Sequence, residues 1–451
     1  MKITADFSRT TGKVKPMHGV GQPPFLGADF SLFHYLTDAG IPYSRLHDVG
    51  GWLGGDLYVD IPNLFRDFDA DENDPASYDF AFTDRLLCAL CDAGVEPFFR
   101  LGVTIENSWK LKSYRVYPPK DFHKWARICE HIVRHYNEGW ADGYHMGITY
   151  WEIWNEPDDC MVTGESPMWQ GTKEQYFELY EIAANHLKRC FGDIVRVGGY
   201  ASCGFYAMDC DPNCDGGLIR QENADHWRQR TEFFIQFMHE FFQWICSDEH
   251  RAPLDFFSWH TYMDVHTAVK QAAYVRKVMN HYGLEKVPDL LDEWNTCHSI
   301  SGRPTAFAAA NALAFMLAMQ RQSVSEMNYY DARLGASIYG GLFNPSSWEP
   351  YLTYYSFLSF NTAYQLGGEV ETHADSKDIF TLGAARDGKA VLLIANIGEE
   401  ATAELSLEGV CLSDGQVIRT DEEHRYSLTG EKITGSSIRI PKNGCVEIRF
   451  S

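Results

Sequence analysis

Eight short apolar runs alternate with helix-like segments along most of this chain, and this alternation constrains the fold more than any other feature. The runs read as nearly continuous apolar stretches, as parallel strands do when helices cover both faces of their sheet. Strand–helix alternation implies a parallel sheet. Eight units in about 350 residues fit a closed (β/α)₈ TIM barrel better than an open sheet, so we predict a barrel over residues 15–365. The runs are MHGVGQ (17–22), PYSRLH (42–47), VEPFFRLG (95–102), ITYWEIW (148–154), VRVGGY (195–200), LDFFSWH (254–260), VPDLLDEW (287–294) and SEMNYYD (325–331).

One segment between the runs carries a clear helix signal at its start. In TKEQYFELYEIAANHLKR, Thr172 and Gln175 have the spacing of a capping box. The residues that follow place an apolar stripe on one helix face, made of Tyr176, Tyr180, Ala184 and Leu187. This pattern predicts an amphipathic helix that covers the barrel.

The sequence changes character after about residue 366, where apolar and polar residues alternate one by one. DIFTLGAARDGKAVLLIANIG predicts two strands around an Asp387-Gly388 turn, and SIRIPKNGCVEIRF predicts a hairpin that turns at Asn443-Gly444. Strands of this kind bury one face and favour antiparallel pairing. We therefore predict a smaller antiparallel β-sandwich over residues 366–451, completed by the N-terminal residues 1–14.

Charge and composition exclude several kinds of partner. The formal net charge is −23, from 39 basic and 62 acidic side chains, which argues against nucleic acid and anionic membrane surfaces. No run approaches the ~18 consecutive apolar residues of a membrane span. The opening MKITADFSRTTGKVKP lacks the apolar core of a signal peptide, so we expect a cytoplasmic protein. The oligomeric state stays open, and a homo-oligomer is one alternative.

The 12 cysteines do not form a recognisable metal or disulfide pattern. Cys88 and Cys91 are spaced as CxxC, but no second CxxC exists, and we expect both to lie on the buried face of a helix. Any role of the loop cysteines Cys203, Cys210 and Cys214 is left open, because their spacing fits no zinc motif.

Two glutamates occupy the places where a TIM barrel carries its chemistry, at the carboxyl ends of the strands. Asn155-Glu156 ends the fourth run, and Glu293, followed by Trp294 and Asn295, ends the seventh. The two carboxyl groups should face each other across the barrel mouth. Glycoside hydrolysis requires such a pair, in which one acid protonates the leaving oxygen and the other carboxylate attacks the sugar or activates water. Either glutamate alone could be half of a salt bridge, but the pair favours catalysis.

The motif around Glu156 also resembles a known family. WEIWNEPDD resembles the Trp-Asn-Glu-Pro signature of the retaining (β/α)₈ glycosidases, and within them glycoside hydrolase family 39, which includes β-xylosidases and α-L-iduronidases. SRLHD resembles the second strand of that family, FSWHTY the sixth, and YDFAFTDRLLCALCDAGVEPFFRLG the second helix and third strand. The resemblance covers the barrel nearly end to end. It implies that Glu156 is the acid/base, that Glu293 is the nucleophile, and that Asn155 binds the sugar hydroxyl next to the reacting carbon.

Further side chains are expected to point into the same site. His260 and Tyr262 are two residues apart on one strand and so share a face. By resemblance, Tyr262 holds the nucleophile and His260 contacts sugar hydroxyls. Arg45 points in with His47 from the second strand, and its positive charge should keep the nucleophile ionised.

Weaker candidates come from the loops and from the last strand. Trp294 and Trp109 are predicted to stack on sugar faces, whereas Trp169 fits loop packing equally well. Asp331 and Arg333, after the eighth run, could line the leaving-group side or form a structural ion pair.

These observations predict a retaining, exo-acting glycosidase of short oligosaccharides, because polymers do not normally enter the cytoplasm. β-Xylosidase is the first expectation. α-L-Arabinofuranosidase, α-L-iduronidase and exopolysaccharide glycosidase activities are alternatives, as is a carbohydrate-binding pseudoenzyme, although such a protein would be expected to lose one carboxylate. The two-carboxylate mechanism needs no metal or other cofactor. A metal-dependent hydrolase would need clustered histidines, and His47, His260 and His298 are dispersed.

Overall fold

The predicted barrel is present in a computed structural model that describes residues 1–47, 59–104, 116–159, 166–204, 224–297, 299–334, 341–431, 433 and 435–451, with the side chains of residues 224–231 left out. After an N-terminal strand, β1 (Lys2–Lys13), eight parallel strands close into a barrel through pairing of the last with the first. Each lies within one of the eight predicted runs or extends it by a residue or two. They are β2 (Gly19–Gly21), β3 (Tyr43–Leu46), β4 (Glu96–Leu101), β5 (Tyr150–Ile153), β6 (Arg196–Ser202), β7 (Phe257–Thr261), β8 (Asp289–Trp294) and β9 (Glu326–Tyr329).

Helices follow the barrel strands and bury an apolar face against them. α5 begins with the predicted capping box, in which Thr172 Oγ1 accepts from the Gln175 backbone N–H at 3.2 Å and Gln175 Oε1 accepts from the Thr172 N–H at 2.9 Å. Its predicted stripe is buried, as amphipathic periodicity requires. The helices of the described residues are α1 (His34–Asp38), α2 (Ile61–Leu64), α3 (Ala81–Asp92), α4 (Phe122–Glu138), α5 (Lys173–Phe191), α6 (Ala224–Cys246), α7 (Val265–His281), α8 (Ala306–Met319) and α9 (Leu352–Leu366).

The prediction for the CxxC pair is wrong for one cysteine. Cys88 is half-buried on α3, but Cys91 is exposed. The buried stripe of this helix contains Thr83, Leu86, Leu87 and Leu90. Cys91 follows Leu90 by one residue, which in an α-helix is a rotation of about 100° away from that stripe.

The remaining strands form a second sheet that includes the N-terminus. Its order is β15-β14-β17-β12-β11-β10-β1-β13-β16, and all pairs are antiparallel except β1 with β13. The fold class, a TIM barrel with a smaller C-terminal β domain, is confirmed, although this sheet is mixed and not purely antiparallel. The strands after the barrel are β10 (Gly368–Ala374), β11 (Ile379–Arg386), β12 (Lys389–Asn396), β13 (Ala401–Glu408), β14 (Gln416–Thr420), β15 (Ser427–Leu428), β16 (Ser437–Ile440) and β17 (Gly444–Phe450).

One of the two predicted hairpins forms. β11 and β12 pair around Asp387 and Gly388, which both have positive φ, as a type I′ turn requires. The second hairpin prediction is wrong, because β16 pairs with β13 at one sheet edge while β17 pairs with β12 and β14. Ile438 of β16 and Ile448 of β17 nevertheless belong to the same apolar cluster. Strands far apart in the sheet therefore enclose one core, so the sheet curves back on itself.

The other face of this sheet packs on the barrel. β11 and β12 contact α8 and α9, and residues such as Leu382 and Leu393 belong to the main barrel core. All residues of α8 except Phe307 are buried, because the helix lies between the barrel and the sheet. Among the described residues, no helix is long and apolar enough to span a membrane.

Candidate active site

The chain leaves β5 through two left-handed residues that direct Glu156 into the barrel mouth. Trp154 and Glu156 have φ of 73° and 44°, a region that non-glycine residues rarely adopt. Trp154 Nε1 donates to the backbone oxygen of Met168 at 2.8 Å, and the Glu156 N–H donates to Ala201 O at 3.1 Å. These bonds hold the strained turn in place, and the Glu156 side chain keeps 13% of its surface exposed. Such strain is common at functional sites.

A bulge at the end of β8 turns two consecutive acids toward the barrel interior. The pairing register of β8 shifts against β7 after Leu291 and against β9 before Trp294. In a regular strand, neighbouring side chains point to opposite faces. Here Asp292 and Glu293 both contact the guanidinium of Arg45, and a bulge is the usual way for a strand to re-aim a side chain.

Glu293 is held by one neutral donor and two positive groups. The Tyr262 hydroxyl donates to its Oε1, and Arg45 Nη1 donates to its Oε2 at 3.1 Å. Burial raises the pKa of Glu293 above its usual value, the charge of Glu156 adds to this, and His260, Arg45 and the Tyr262 hydrogen bond act in the opposite direction. The arginine thus opposes the effect of burial without reversing it.

His260 lies between the two glutamates. Its Nδ1 is 2.7 Å from Glu156 Oε1 and 3.8 Å from Glu293 Oε2, and its Nε2 is 3.6 Å from Asp292 Oδ1. Burial disfavours a charged imidazole, but Glu293 and Asp292 outweigh it and raise the pKa of His260 well above its ordinary value. A protonated His260 can donate to Glu156 and face Asp292 at the same time.

Arg45 is the centre of a buried polar cluster below the glutamates. Its side chain is 1% exposed and also contacts Glu152 Oε2, at 2.7 Å, and Asn155 Oδ1, at 2.6 Å. Burial lowers its pKa, but the surrounding carboxylates outweigh burial and raise it, so the guanidinium stays charged. Asn155 Nδ2 is buried and has no hydrogen-bond partner among the described residues. This amide therefore has a donor available for a ligand.

His47, at the end of β3, lies among positive groups. It is buried, and burial together with the charges of Arg100 and Arg45 lowers its pKa well below the usual value. Arg100 Nη2 donates to Asp60 Oδ1 at 2.8 Å, and both side chains are fully buried. His47 is therefore neutral and able to accept a hydrogen bond.

The two glutamates are close enough to act on one bond. One carboxylate oxygen of Glu156, one of Glu293 and one ring nitrogen of His260 all lie within 4.8 Å of one another. Retaining glycosidases place their two carboxyl groups ~5–5.5 Å apart, whereas inverting enzymes leave room for a water at ~6.5–9.5 Å. One pair of oxygens from the two glutamates thus lies closer together than either of these separations.

The comparison with protein families agrees with this geometry. The model of glycosyl hydrolases family 39 matches residues 29–300, which contain both glutamates. The chain belongs to glycosyl hydrolase family 39.

Named relatives of this family 39 chain include two β-xylosidases. That of Caldicellulosiruptor saccharolyticus is 28% identical over 215 residues, 45% of this chain and 40% of the relative. That of Geobacillus stearothermophilus is 26% identical over 255 residues, 55% of this chain and 42% of the relative. The match thus spans less than half the length of these relatives.

Solved structures share the fold over the whole chain. A glucosidase from Croceicoccus marinus aligns with a TM-score of 0.77 and 20% identity, covering 100% of this chain and 98% of that one. A family 39 β-xylosidase from Caulobacter crescentus aligns with a TM-score of 0.66 and 17% identity, covering 100% of both chains. At these identities the likeness concerns the fold alone.

The structure contradicts the stacking role predicted for Trp294 in this family 39 site. Its ring is fully buried and stacks on Phe315 of α8 with centroids 4.5 Å apart, at an interplanar angle of 4°. Because the bulge leaves Glu293 inside, the next side chain points outward to the helix layer. Trp169 is likewise packed, because its ring centroid lies 5.1 Å from that of Trp154 and its Nε1 donates to Thr172 O. Trp109 lies outside the described residues.

The other loop candidates have structural partners. Arg333 Nη2 is 3.6 Å from Asp331 Oδ2, an ion pair. Cys203 lies 3.6 Å from Asp158 Oδ1, whereas Cys210, Cys214 and His298 lie outside the described residues.

Three buried acids of the site are absent from the sequence-based prediction. Glu152 and Asp292 contact Arg45, and Asp158 accepts from the Ser202 hydroxyl at 2.6 Å. Burial raises the pKa of Asp158 to about 7. The available signal was a charged residue within an apolar run, as in YWEIW, since a buried charge needs a partner.

Proposed function

We propose that this protein is a retaining glycoside hydrolase that removes single sugars from short oligosaccharides by a two-step displacement, with β-xylosides as first substrates. The observation that carries the proposal is the pair Glu156 and Glu293, with carboxylate oxygens within 4.8 Å of each other at the barrel mouth. This spacing suits direct attack by a carboxylate, whereas inverting enzymes keep their carboxyl groups ~6.5–9.5 Å apart to hold a water beside the sugar.

In the first step, Glu293 attacks the anomeric carbon while Glu156 protonates the departing oxygen. Tyr262 donates to one oxygen of Glu293 and Arg45 to the other, which fixes the orientation of the carboxylate before attack. Glu156 is the more exposed of the two, at 13% against 7% of the side chain, as suits a group that must meet the leaving group and then water.

In the second step, Glu156 takes a proton from water, and that water releases the sugar from Glu293. His260 favours the proton transfer of the first step, because its Nδ1 contacts Glu156 Oε1 and its cationic form stabilises the carboxylate left when Glu156 gives up its proton. Asn155 offers its Nδ2, which has no partner among the described residues, to the hydroxyl next to the reacting carbon, a contact that strengthens in the transition state.

Within the part of the chain that the structure describes, the arginines near the strand ends favour a neutral sugar over a uronate. A carboxylate on the substrate would need a cation that is not already neutralised. Arg45 contacts several acids, Arg100 pairs with Asp60, and Arg333 pairs with Asp331. The names of two curated relatives point in the same direction, so we place β-xyloside before α-L-arabinofuranoside, α-L-iduronide and acidic exopolysaccharides.

A panel of aryl glycosides tests the proposal. It comprises the β-D-xyloside, α-L-arabinofuranoside, α-L-iduronide, β-D-glucoside and β-D-galactoside, each assayed with the wild type and with Glu293→Gln. The β-D-xyloside should be hydrolysed fastest, with β-xylose as the first product seen by NMR, and Glu293→Gln should be inactive. A first product of inverted configuration, or equal activity of Glu293→Gln and the wild type, would refute the mechanism. If another glycoside is hydrolysed fastest, that sugar takes the place of xylose as the proposed substrate.

A further inference from the structure

Two carboxyl groups converge on the same side of Arg45, below the nucleophile. Arg45 Nε is 2.8 Å from Glu152 Oε2 and 2.7 Å from Asp292 Oδ2, although this nitrogen carries a single hydrogen. The side chains of Glu152 and Asp292 are both 0% exposed. Two ionised carboxylates placed so close in a dry interior would repel each other strongly.

The pairing of the remaining oxygens indicates where a proton belongs. Asp292 Oδ2 competes with Glu152 Oε2 for the single Nε hydrogen of Arg45, and Asp292 Oδ1 has only the ring nitrogen of His260 nearby, at 3.6 Å. Glu152 Oε1 is buried and has no hydrogen-bond partner among the described residues. Orphaned buried acceptors of this kind are costly. A proton on one of the acids would supply the missing donor and remove the repulsion in a single step.

We propose that Glu152 and Asp292 share one proton, and that the singly charged pair positions Arg45 against Glu293, so that Glu152 is a positioning residue for the nucleophile. The proposal rests on the proposed function only for its effect on catalysis. Burial raises the pKa of Glu152 to about 8, with a further increase from Asp292 and an opposing effect of Arg45. Burial also disfavours the charged form of Asp292, but Arg45 and His260 outweigh burial and lower the pKa of Asp292. These opposite shifts favour the proton on the Glu152 side of the pair and the charge on the Asp292 side.

The surrounding groups fit this charge state. With Glu152 neutral, the two cations Arg45 and His260 balance Asp292 and Glu293. Loss of the proton adds a negative charge that competes with Glu293 for Arg45, whose Nη1 is only 3.1 Å from Glu293. Arg100, beside Glu152 on the neighbouring strand, is paired with Asp60. The titratable groups that face the pair are Arg45 from β3, His260 from β7, Glu293 from β8, Glu326 from β9 and Tyr176 from α5.

Proton release on unfolding tests the shared proton without any substrate. At pH 6.5 the folded pair holds one proton that the unfolded chain has lost, so unfolding in unbuffered guanidinium should release it. Glu152→Gln, Asp292→Asn and the double variant should each release about one proton fewer per chain than the wild type. Equal proton release by the wild type and the variants would overturn the proposal. So would a double variant that releases fewer protons than either single variant.

The pH profile tests the positioning role. A 2,4-dinitrophenyl glycoside needs little acid assistance, so its kcat/KM is insensitive to the acid/base. With a group of pKa about 8, one tenth stays protonated at pH 9, and wild-type kcat/KM should fall about tenfold below its plateau. This fall should be largely lost in Glu152→Gln with KM little changed. A purely structural role would leave the shape of the profile unchanged, and that result would overturn the positioning role.

Glu326→Gln is the matched control. Glu326 is fully buried in the same barrel, and burial raises its pKa to about 8, but it bonds to Asn328 and not to Arg45. On unfolding, this variant should release about one proton fewer than the wild type. Its kcat/KM should still fall at high pH as it does in the wild type. If no glycoside is turned over, the proposed function fails, and proton release alone decides whether the pair exists.

Discussion

Replacing Tyr262 with phenylalanine removes one hydroxyl and keeps the ring, so it probes how the site holds its nucleophile. That hydroxyl donates to Glu293 Oε1, while Arg45 remains on Oε2 at 3.1 Å. A hydrogen bond to a charged group contributes ~1.5–3 kcal/mol. Because each 1.36 kcal/mol changes a rate tenfold, kcat/KM should fall about 10- to 150-fold.

The variant should also change the pH dependence. The Tyr262 hydrogen bond lowers the pKa of Glu293 against the effect of burial, so its loss raises that pKa further. Glu293 must be ionised to attack, and the acidic limb of kcat/KM should therefore move to higher pH. The assay is kcat/KM for the preferred aryl glycoside from pH 4 to 8.

Tyr354→Phe provides the matched control for this experiment. Tyr354 is also buried, and its hydroxyl donates to the backbone oxygen of Tyr35 at 2.9 Å, on α9 and outside the site. Its removal should leave kcat/KM and the acidic limb unchanged. Wild-type kcat/KM with an unshifted limb in Tyr262→Phe would refute the inference that this hydroxyl holds Glu293.

Two further predictions concern stability. A chain ending near residue 365 should be insoluble or inactive, because it exposes the faces of α8 and α9 that β11 and β12 cover; a soluble, fully active truncation would contradict this. Asp158 has its pKa raised to about 7 by burial, so its contribution to stability is complete below its unfolded value near 3.8 and is lost as pH rises through about 7. Asp158→Asn should make the melting temperature depend less on pH between pH 4 and 7. A pH dependence equal to that of the wild type would show that Asp158 is ionised in the folded protein.

The barrel could be predicted because its strands are buried on both faces. That burial leaves continuous apolar runs, and the strand ends then locate Glu156 and Glu293. Pairing in the second sheet could be predicted only in part. Asp387-Gly388 specifies a local turn that its flanking strands follow, whereas the turn at Asn443-Gly444 does not determine that β16 and β17 find different partners.

The details of the site depend on geometry that the sequence pattern does not contain. Alternation along β8 does not reveal the bulge, and so Trp294 is predicted inside while Asp292 is overlooked. Glu152 can be interpreted only with its partner Arg45, which lies 107 residues away in the chain. Long-range charge pairing of this kind requires the folded structure.

The two glutamates have different roles in the proposed mechanism, and azide tests this division of roles most directly. Glu156→Ala should still form the glycosyl-enzyme from an aryl glycoside with a very acidic leaving group, because that group needs little protonation. Azide needs no base, so it should restore turnover and give a glycosyl azide of retained configuration. Glu293→Ala should be inactive alone and give the inverted azide, because azide would enter from the vacated nucleophile side.

The measurement is the anomeric configuration of the two azide products by NMR. Retention with Glu156→Ala and inversion with Glu293→Ala are the predicted results. The opposite pattern would exchange the two roles, and full activity of either variant without azide would show that the replaced glutamate is not catalytic.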